Sequence, residues 1–264
     1  MLKLEHLCKT FNAGTVNEKI ALADLNLHLK EGEFLTVIGG NGAGKSTMLN
    51  AVAGTFPVDD GKILIDGNDV THMPEHKRAA FIGRVFQDPM MGTAPTMQID
   101  ENLALAARRG QRRGLKWGIS REEKEQYFEK LKELGLGLED RMSAKAGLLS
   151  GGQRQALTLL MASLRKPKLL LLDEHTAALD PATAAKVLEI SDRIVQENHL
   201  TCMMITHNMR DAITHGDRLI MMNEGKIILD IAGEEKKKLT KRELLDRFAA
   251  LAGTQEETDS VLLS

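Results

Sequence analysis

The sequence predicts an α/β fold organised around a mostly parallel sheet, and three observations predict it. Beyond residue 160, apolar runs and amphipathic stretches take turns in "KLLLLDE", "PATAAKVLEISDRIVQE", "TCMMITH" and "DRLIMMNEGKIIL", the pattern of strand–helix units. The glycine-rich "GGNGAGKST" stands between the apolar "FLTVI" and the helical "TMLNAVAG", the strand–loop–helix context of a phosphate-binding loop. Residues 1 to about 90 are instead rich in strands, with glycine punctuation between them.

Taken in order, "MLKLEHLCKTF" alternates like a strand and carries no apolar core of a signal peptide. "KIALADLNLHL", "EFLTVIGG" and "GKILIDG" continue the strand pattern. From about 91 to 159 the character turns helical. There "SREEKEQYFEKLKEL" opens with a capping box, Ser120 with Glu123, and is expected to place Tyr127, Phe128, Leu131 and Leu134 on one face. Alternating units occupy 160–232. A second capping box, Thr240 with Glu243, starts a helix over about 240–252 with Leu244, Leu245, Phe248 and Leu251 directed inward, and 253–264 reads as a frayed tail.

Composition bounds the function. The chain has 264 residues and a formal net charge of −2, so it can bury a core and has no positive field for nucleic acid. Its two cysteines, Cys8 and Cys202, lack metal-type spacing and read as buried thiols in a reducing compartment. The leucine run Leu169–Leu172 is far too short to span a bilayer. Action at a membrane would therefore need a separate spanning partner.

Gly39 to Ser46 fits G-x-x-x-x-G-K-[ST]. In such a loop the backbone N–H groups of Gly39, Gly40, Asn41, Gly42, Ala43 and Gly44 close around phosphate. Lys45 reaches the β/γ oxygens, the Ser46 hydroxyl ligates Mg²⁺, and Thr47 completes the set expected to bind the nucleotide. A dinucleotide fingerprint fits less well, because Lys45 stands where the third glycine belongs. "KLLLLDE" ends a buried strand in Asp173, placed to hold Mg²⁺ directly or through water, and in Glu174, placed to polarise an attacking water. Gln87 in "GRVFQDP" ends another strand, where its amide can reach Mg²⁺ or the water. His207 in "MMITHN" ends a third, within reach of a γ-phosphate. Asp180 before Pro181 is a helix N-cap whatever else it does. A second glycine loop, "LLSGGQRQALT", opens a further helix with Ser150, Gly151, Gly152 and Gln153, and so makes a second anion site.

The order of these motifs resembles that of ATP-binding-cassette ATPases: Walker A "GGNGAGKST", Q-loop Gln87, signature "LSGGQ", Walker B "LLLLDE", D-loop "ALD" and switch His207. The resemblance implies a P-loop NTPase (RecA-like) core with an antiparallel β-subdomain and an inserted α-helical subdomain, all within residues 1–252. It implies ATP and Mg²⁺ as cofactors and a head-to-tail homodimer formed on ATP binding, in which Ser150 and Gly152 cap the γ-phosphate of the partner. Phe11 takes the place of the usual adenine-stacking tyrosine, keeping the π-face and losing the hydroxyl. His175 stands where the family usually has proline. These variants resemble a subgroup of bacterial import ATPases with branched-chain-amino-acid-like permeases, some of them associated with aromatic amino acids. The partners so implied are membrane permease subunits and an extracytoplasmic binding protein, with the chain at the cytoplasmic face of the membrane. A soluble ATPase of iron–sulfur cluster assembly would share the same motifs. One basic cluster, Arg108, Arg109, Arg112, Arg113 and Lys116 beside Trp117, reads as a solvated helix face or as a face toward lipid headgroups or the permease. With one short patch and an acidic remainder, nucleic acid is not an expected partner.

Overall fold

The computed structural model describes residues 1–111 and 118–252; Arg112, Arg113, Lys116 and Trp117 of the basic cluster and the tail 253–264 lie outside the described residues. The first elements are β1 (Leu2–Phe11), β2 (Lys19–Leu29), β3 (Phe34–Gly39), α1 (Lys45–Ala53), β4 (Asp60–Ile65), β5 (Asn68–Asp69) and α2 (Glu75–Arg78). There follow β6 (Ile82–Val85), α3 (Ile99–Ala107), α4 (Arg121–Leu134), α5 (Gly151–Ser163), β7 (Leu169–Asp173) and α6 (Pro181–Glu197). The chain continues through β8 (Thr201–Ile205), α7 (Met209–Thr214), β9 (Arg218–Asn223), β10 (Lys226–Ala232), α8 (Gly233–Lys238) and α9 (Lys241–Ala252). Two compact units result: Met1–Arg78 with the described residues from Leu200 onward, and Ala79–His199. The helical stretch expected at 91–159 falls inside the second unit, while the expected core segments contribute to both.

In the first unit β2, β1, β4 and β5 form an antiparallel sheet in that order. The alternation expected of β1 changes phase along its length: Leu2, Leu4 and Leu7 are buried. The cause is a bulge, since His6 takes φ 52° and the register with β2 slips between Leu4 and Leu7. Asp24 on β2 mirrors it at φ 55°, and its carboxylate meets His6 Nδ1 at 2.7 Å. An extra residue in one strand turns every later side chain to the other face.

Also in this unit, β3 lies between β8 and β9, parallel to both, and β10 pairs antiparallel with β9. Phe34, Leu35, Val37 and Ile38 on β3 are buried, as a strand covered on both faces requires. Ile38, Leu219 and Met221 pack with Met209 and Ala212 of α7 and with Leu244 and Phe248 of α9. The inward face of α9 is narrower than expected. Leu244 and Phe248 are buried one turn apart and Leu245 is partly buried, but Leu251 is 52% exposed. Among the cysteines Cys202 is buried, whereas Cys8 is only partly so, because its neighbour Leu7 takes the buried face of β1.

In the second unit β6 and β7 pair in parallel, with α3, α4, α5 and α6 in the same unit. Helix α4 begins at the expected capping box, with Ser120 and Glu123 each accepting the other's backbone N–H. Its buried residues are Tyr127, Leu131 and Leu134, spaced by four and three. Phe128, expected inward, is exposed, because one residue past Tyr127 lies 100° round the helix. Of the basic cluster, Arg108 bonds Glu123 at 2.9 Å and the Gly118 carbonyl at 2.7 Å, and Arg109 donates to the Ala162 carbonyl at 3.1 Å. These two side chains tie the unit together and do not form a solvated face.

Candidate active site

The phosphate-binding loop belongs to the first unit. Strand β3 ends at Gly39, whose φ is 149°, and a Cβ there would sit 2.2 Å from the Met222 carbonyl oxygen. Gly44, at φ 100°, is the N-cap of α1, and a Cβ on it would come within 2.5 Å of the Ala21 carbonyl oxygen. Only glycine suits either place. Between them Ala43 donates to the Gly40 carbonyl and accepts from Gly225 N–H at 3.0 Å, so the β9–β10 turn braces the loop. Asn41 and Gly42 are exposed, as is Ser46 in the first turn of α1; Thr47 beside it is half-buried. Lys45 is buried, its Nζ donating to the carbonyls of Gly39 at 2.7 Å and Gly40 at 3.1 Å. The far end of α1 is gripped by Arg78, which is fully buried and donates to the carbonyls of Ala51, Val52, Thr71 and Met73.

His207 lies at the same sheet edge as the loop. Val37 of β3 stands opposite Ile205 of β8, and Gly39 and His207 each follow two residues beyond that pair, His207 exposed just past the end of β8. Ligands of open α/β sheets bind at this carboxyl edge. Phe11, half-buried at the end of β1, meets Phe56 edge to face, with centroids 5.3 Å apart. Lys9 Nζ sits 5.6 Å from the Phe11 centroid and is held by Asp59 at 2.7 Å. That contact and the Thr10 N–H keep the Asp59 carboxyl below the usual carboxylate range.

The other expected residues lie in the second unit. Leu169 to Leu172 are wholly buried, and Asp173 ends β7 half-buried. Glu174 then takes φ 45°, an uncommon left-handed conformation for a glutamate. Val85 of β6 is level with Leu172 of β7, so Phe86 and Gln87 leave β6 at the same end of the pair as Asp173 and Glu174 leave β7. Gln87 is exposed. His175, in the place expected of a proline, is buried, and its Nε2 lies 2.9 Å from Ser191 Oγ. Because Ser191 Oγ donates to the Val187 carbonyl, the imidazole N–H is the donor in that pair.

Ser150 is the exposed N-cap of α5, accepting from Gln153 N–H while Gln153 Oε1 accepts from Ser150 N–H. Gly151 and Gly152 form the first turn. Asp180 caps α6; the Thr183 hydroxyl and amide hold its carboxyl below the usual range. Sequence reasoning missed two residues here. Gln155, fully buried, donates to the Phe86 carbonyl at 3.0 Å and so joins α5 to the segment before Gln87. Arg84 Nη2 meets Asp173 Oδ2 at 3.2 Å. An arginine inside the short strand "IGRV" was the only signal available for it.

Among the described residues no group of three or more His, Cys, Asp or Glu side chains is arranged to hold a metal ion. The candidate donors are the Ser46 hydroxyl, the Asp173 carboxylate and the Gln87 amide oxygen: few and hard. Hard oxygen donors of this kind suit Mg²⁺, which keeps several waters and leans on substrate phosphates, better than a metal needing a full protein cage. No helix among the described residues is long and apolar enough to cross a membrane.

The profile of the ABC transporter family matches residues 22–177. The chain is 42% identical over 248 residues to a tyrosine transport ATP-binding protein of Clostridioides difficile, covering 94% of this chain and 98% of that one. It is 34% identical to a spermidine/putrescine import ATP-binding protein of Haemophilus ducreyi over 87% of this chain, which spans 57% of that longer protein. Among solved structures it is similar to a dimeric ATP-binding cassette in a post-hydrolysis state bound to ADP and Pi, at TM-score 0.75 and 30% identity over 88% of this chain and 98% of that one. It is also similar to the ADP conformation of an ABC transporter cassette, at TM-score 0.77 and 25% identity over 100% of this chain and 99% of that one. The chain belongs to the ABC transporter family, as an ATP-hydrolysing cassette with the P-loop NTPase fold.

Proposed function

We propose that this cassette powers a bacterial importer of a small solute, an amino acid and in particular an aromatic one. The observation that carries the reading is the 42% identity, sustained along nearly the whole of both chains, to a tyrosine transport ATP-binding protein. The relatives named above are transport proteins, which favours this reading over iron–sulfur cluster assembly. The chain would sit at the cytoplasmic face of the membrane through permease subunits and serve an extracytoplasmic binding protein.

Within the site, Lys45 and the N–H groups of residues 39–44 bind the ATP phosphates, and Phe11 stacks on the base. Ser46, Asp173 and Gln87 would hold Mg²⁺, which supplies charge neutralisation at the phosphates. Glu174, set apart by its backbone conformation, orients and deprotonates the attacking water, with His207 as the γ-phosphate contact. Ser150 and Gly152 act on the nucleotide of a second copy. Support for that comes from the α5 N-terminus, where Ser150 and Gly151 are exposed.

Mixing two defective preparations tests the arrangement. In a head-to-tail dimer, Lys45→Ala and Ser150→Arg chains together form one site with both lesions and one with neither. Hydrolysis, or nucleotide trapping at the intact site, should return in the mixture although each variant alone has none. A mixture inactive by both measures refutes the trans signature. Tyrosine uptake by cells lacking this chain, restored by the wild type and not by Glu174→Gln, tests the cargo.

A further inference from the structure

We propose that Arg84 is a positioning residue for Asp173, holding its carboxylate in the orientation from which it takes Mg²⁺. The inference rests on the reading of Asp173 as the carboxylate of the metal site.

Strand register makes the pairing possible. Arg84 is level with Leu171 and Val85 with Leu172. Side chains alternate along a strand, so Arg84 on β6 shares a face with Leu171 and Asp173 on β7, and the Phe86 ring just beyond β6 lies against it. Asp173 is thus one same-face step, about 6.6 Å, beyond the residue beside Arg84, and an arginine side chain spans that. Its Nη2 reaches Asp173 Oδ2 at 3.2 Å.

The guanidinium is itself fixed. Its central carbon lies 4.6 Å from the Phe86 ring centroid, and its side chain is 14% exposed against 15% for Asp173. Stacking and burial have already removed most of its rotamer freedom, so orienting Asp173 costs little further entropy.

Two opposite effects on Mg²⁺ follow from a cation at this place. As a charge, Arg84 repels the metal; as a fixed donor, it orients the ligand. The geometry favours the second. At 3.2 Å the contact is longer than the 2.7–2.9 Å of a tight charge-assisted bond, but stacking on Phe86 and burial keep the donor in one place, so it offers the carboxylate a single orientation. Hydrogen-bonding partners of metal ligands commonly act this way.

Binding of a fluorescent ATP analogue to the full chain, in EDTA and across a Mg²⁺ series, separates the outcomes. Arg84→Met keeps the stem against Phe86 and removes the donor. It should raise the Mg²⁺ concentration for half-maximal binding about 10-fold and leave binding in EDTA within about 2-fold of wild type. Arg84→Lys, a single donor without the planar stack, should fall between. An unchanged or lowered Mg²⁺ midpoint in Arg84→Met overturns the proposal; if that variant does not fold, the same result in Arg84→Lys does so. Asp173→Asn is the control for the underlying reading and should lose the Mg²⁺-dependent component of binding. If it keeps the wild-type midpoint, Asp173 is not the metal's carboxylate and the proposal falls with that reading. A loss in Asp173→Asn without one in Arg84→Met defeats the proposal alone.

Discussion

Replacing Gly152 by alanine should destabilise the second unit through one identifiable collision. Gly152 is buried in the first turn of α5, and a Cβ there would lie 2.1 Å from Thr183 Cγ2 and 3.5 Å from Thr183 Cβ. Carbon atoms pack at about 3.5–4.0 Å, so the deficit is roughly 1.5 Å. Thr183 cannot easily turn away, since its hydroxyl, as well as its N–H, bonds the Asp180 carboxylate in the α6 cap and its side chain is branched at Cβ. Overpacking of this kind costs about 1–3 kcal/mol. Alanine's better helix propensity returns up to about 1 kcal/mol. With overpacking at the middle of its range, about 2 kcal/mol, the net loss is about 1–2 kcal/mol. Urea unfolding of Gly152→Ala, Thr183→Ala and the double variant measures it. Thr183→Ala removes the colliding methyl, so the pair should show a favourable coupling of about 1–2 kcal/mol. A Gly152→Ala chain as stable as wild type, or a strictly additive double variant, refutes the reasoning. ATP hydrolysis should follow the same pattern, because the collision displaces the α5 N-terminus that carries Ser150.

Glu174→Gln should bind ATP near normally, lose hydrolysis by about 10²-fold or more, and migrate as an ATP-stabilised dimer on size exclusion; near-wild-type turnover would remove Glu174 from its role. His175 and Ser191 are both buried and 2.9 Å apart, so a double-mutant cycle of their alanine variants should give a coupling of about 1 kcal/mol. Zero coupling in urea unfolding would show that the pair is not a working hydrogen bond.

Features decided by neighbours in the chain were legible in the sequence. The phosphate-binding loop, the Ser120–Glu123 box, and the bounds of α6 from Asp180 and Pro181 to Glu197 depend on contacts within a few residues. Turn conformation, cap hydrogen bonds and helical periodicity are local properties, and the side chains that govern them are adjacent in the text. The order of the nucleotide motifs was legible for the same reason, each being a short strand-end or helix-start signal.

Tertiary structure alone decided the rest. The bulges at His6 and Asp24 exist only because β1 and β2 pair, and they shift the phase that Leu2 and Leu4 had set. Tyr127 faces inward and Phe128 outward because the surrounding helices select one stripe of α4, although phenylalanine is the more apolar residue of the two. Arg78 is buried although arginine is seldom so, because four carbonyls from α1 and the following chain converge on it. Arg84 and Asp173 stand 89 positions apart, and nothing near either names the other. Parallel register between β6 and β7 brings them together, and register is a property of the pair of strands that neither strand carries alone.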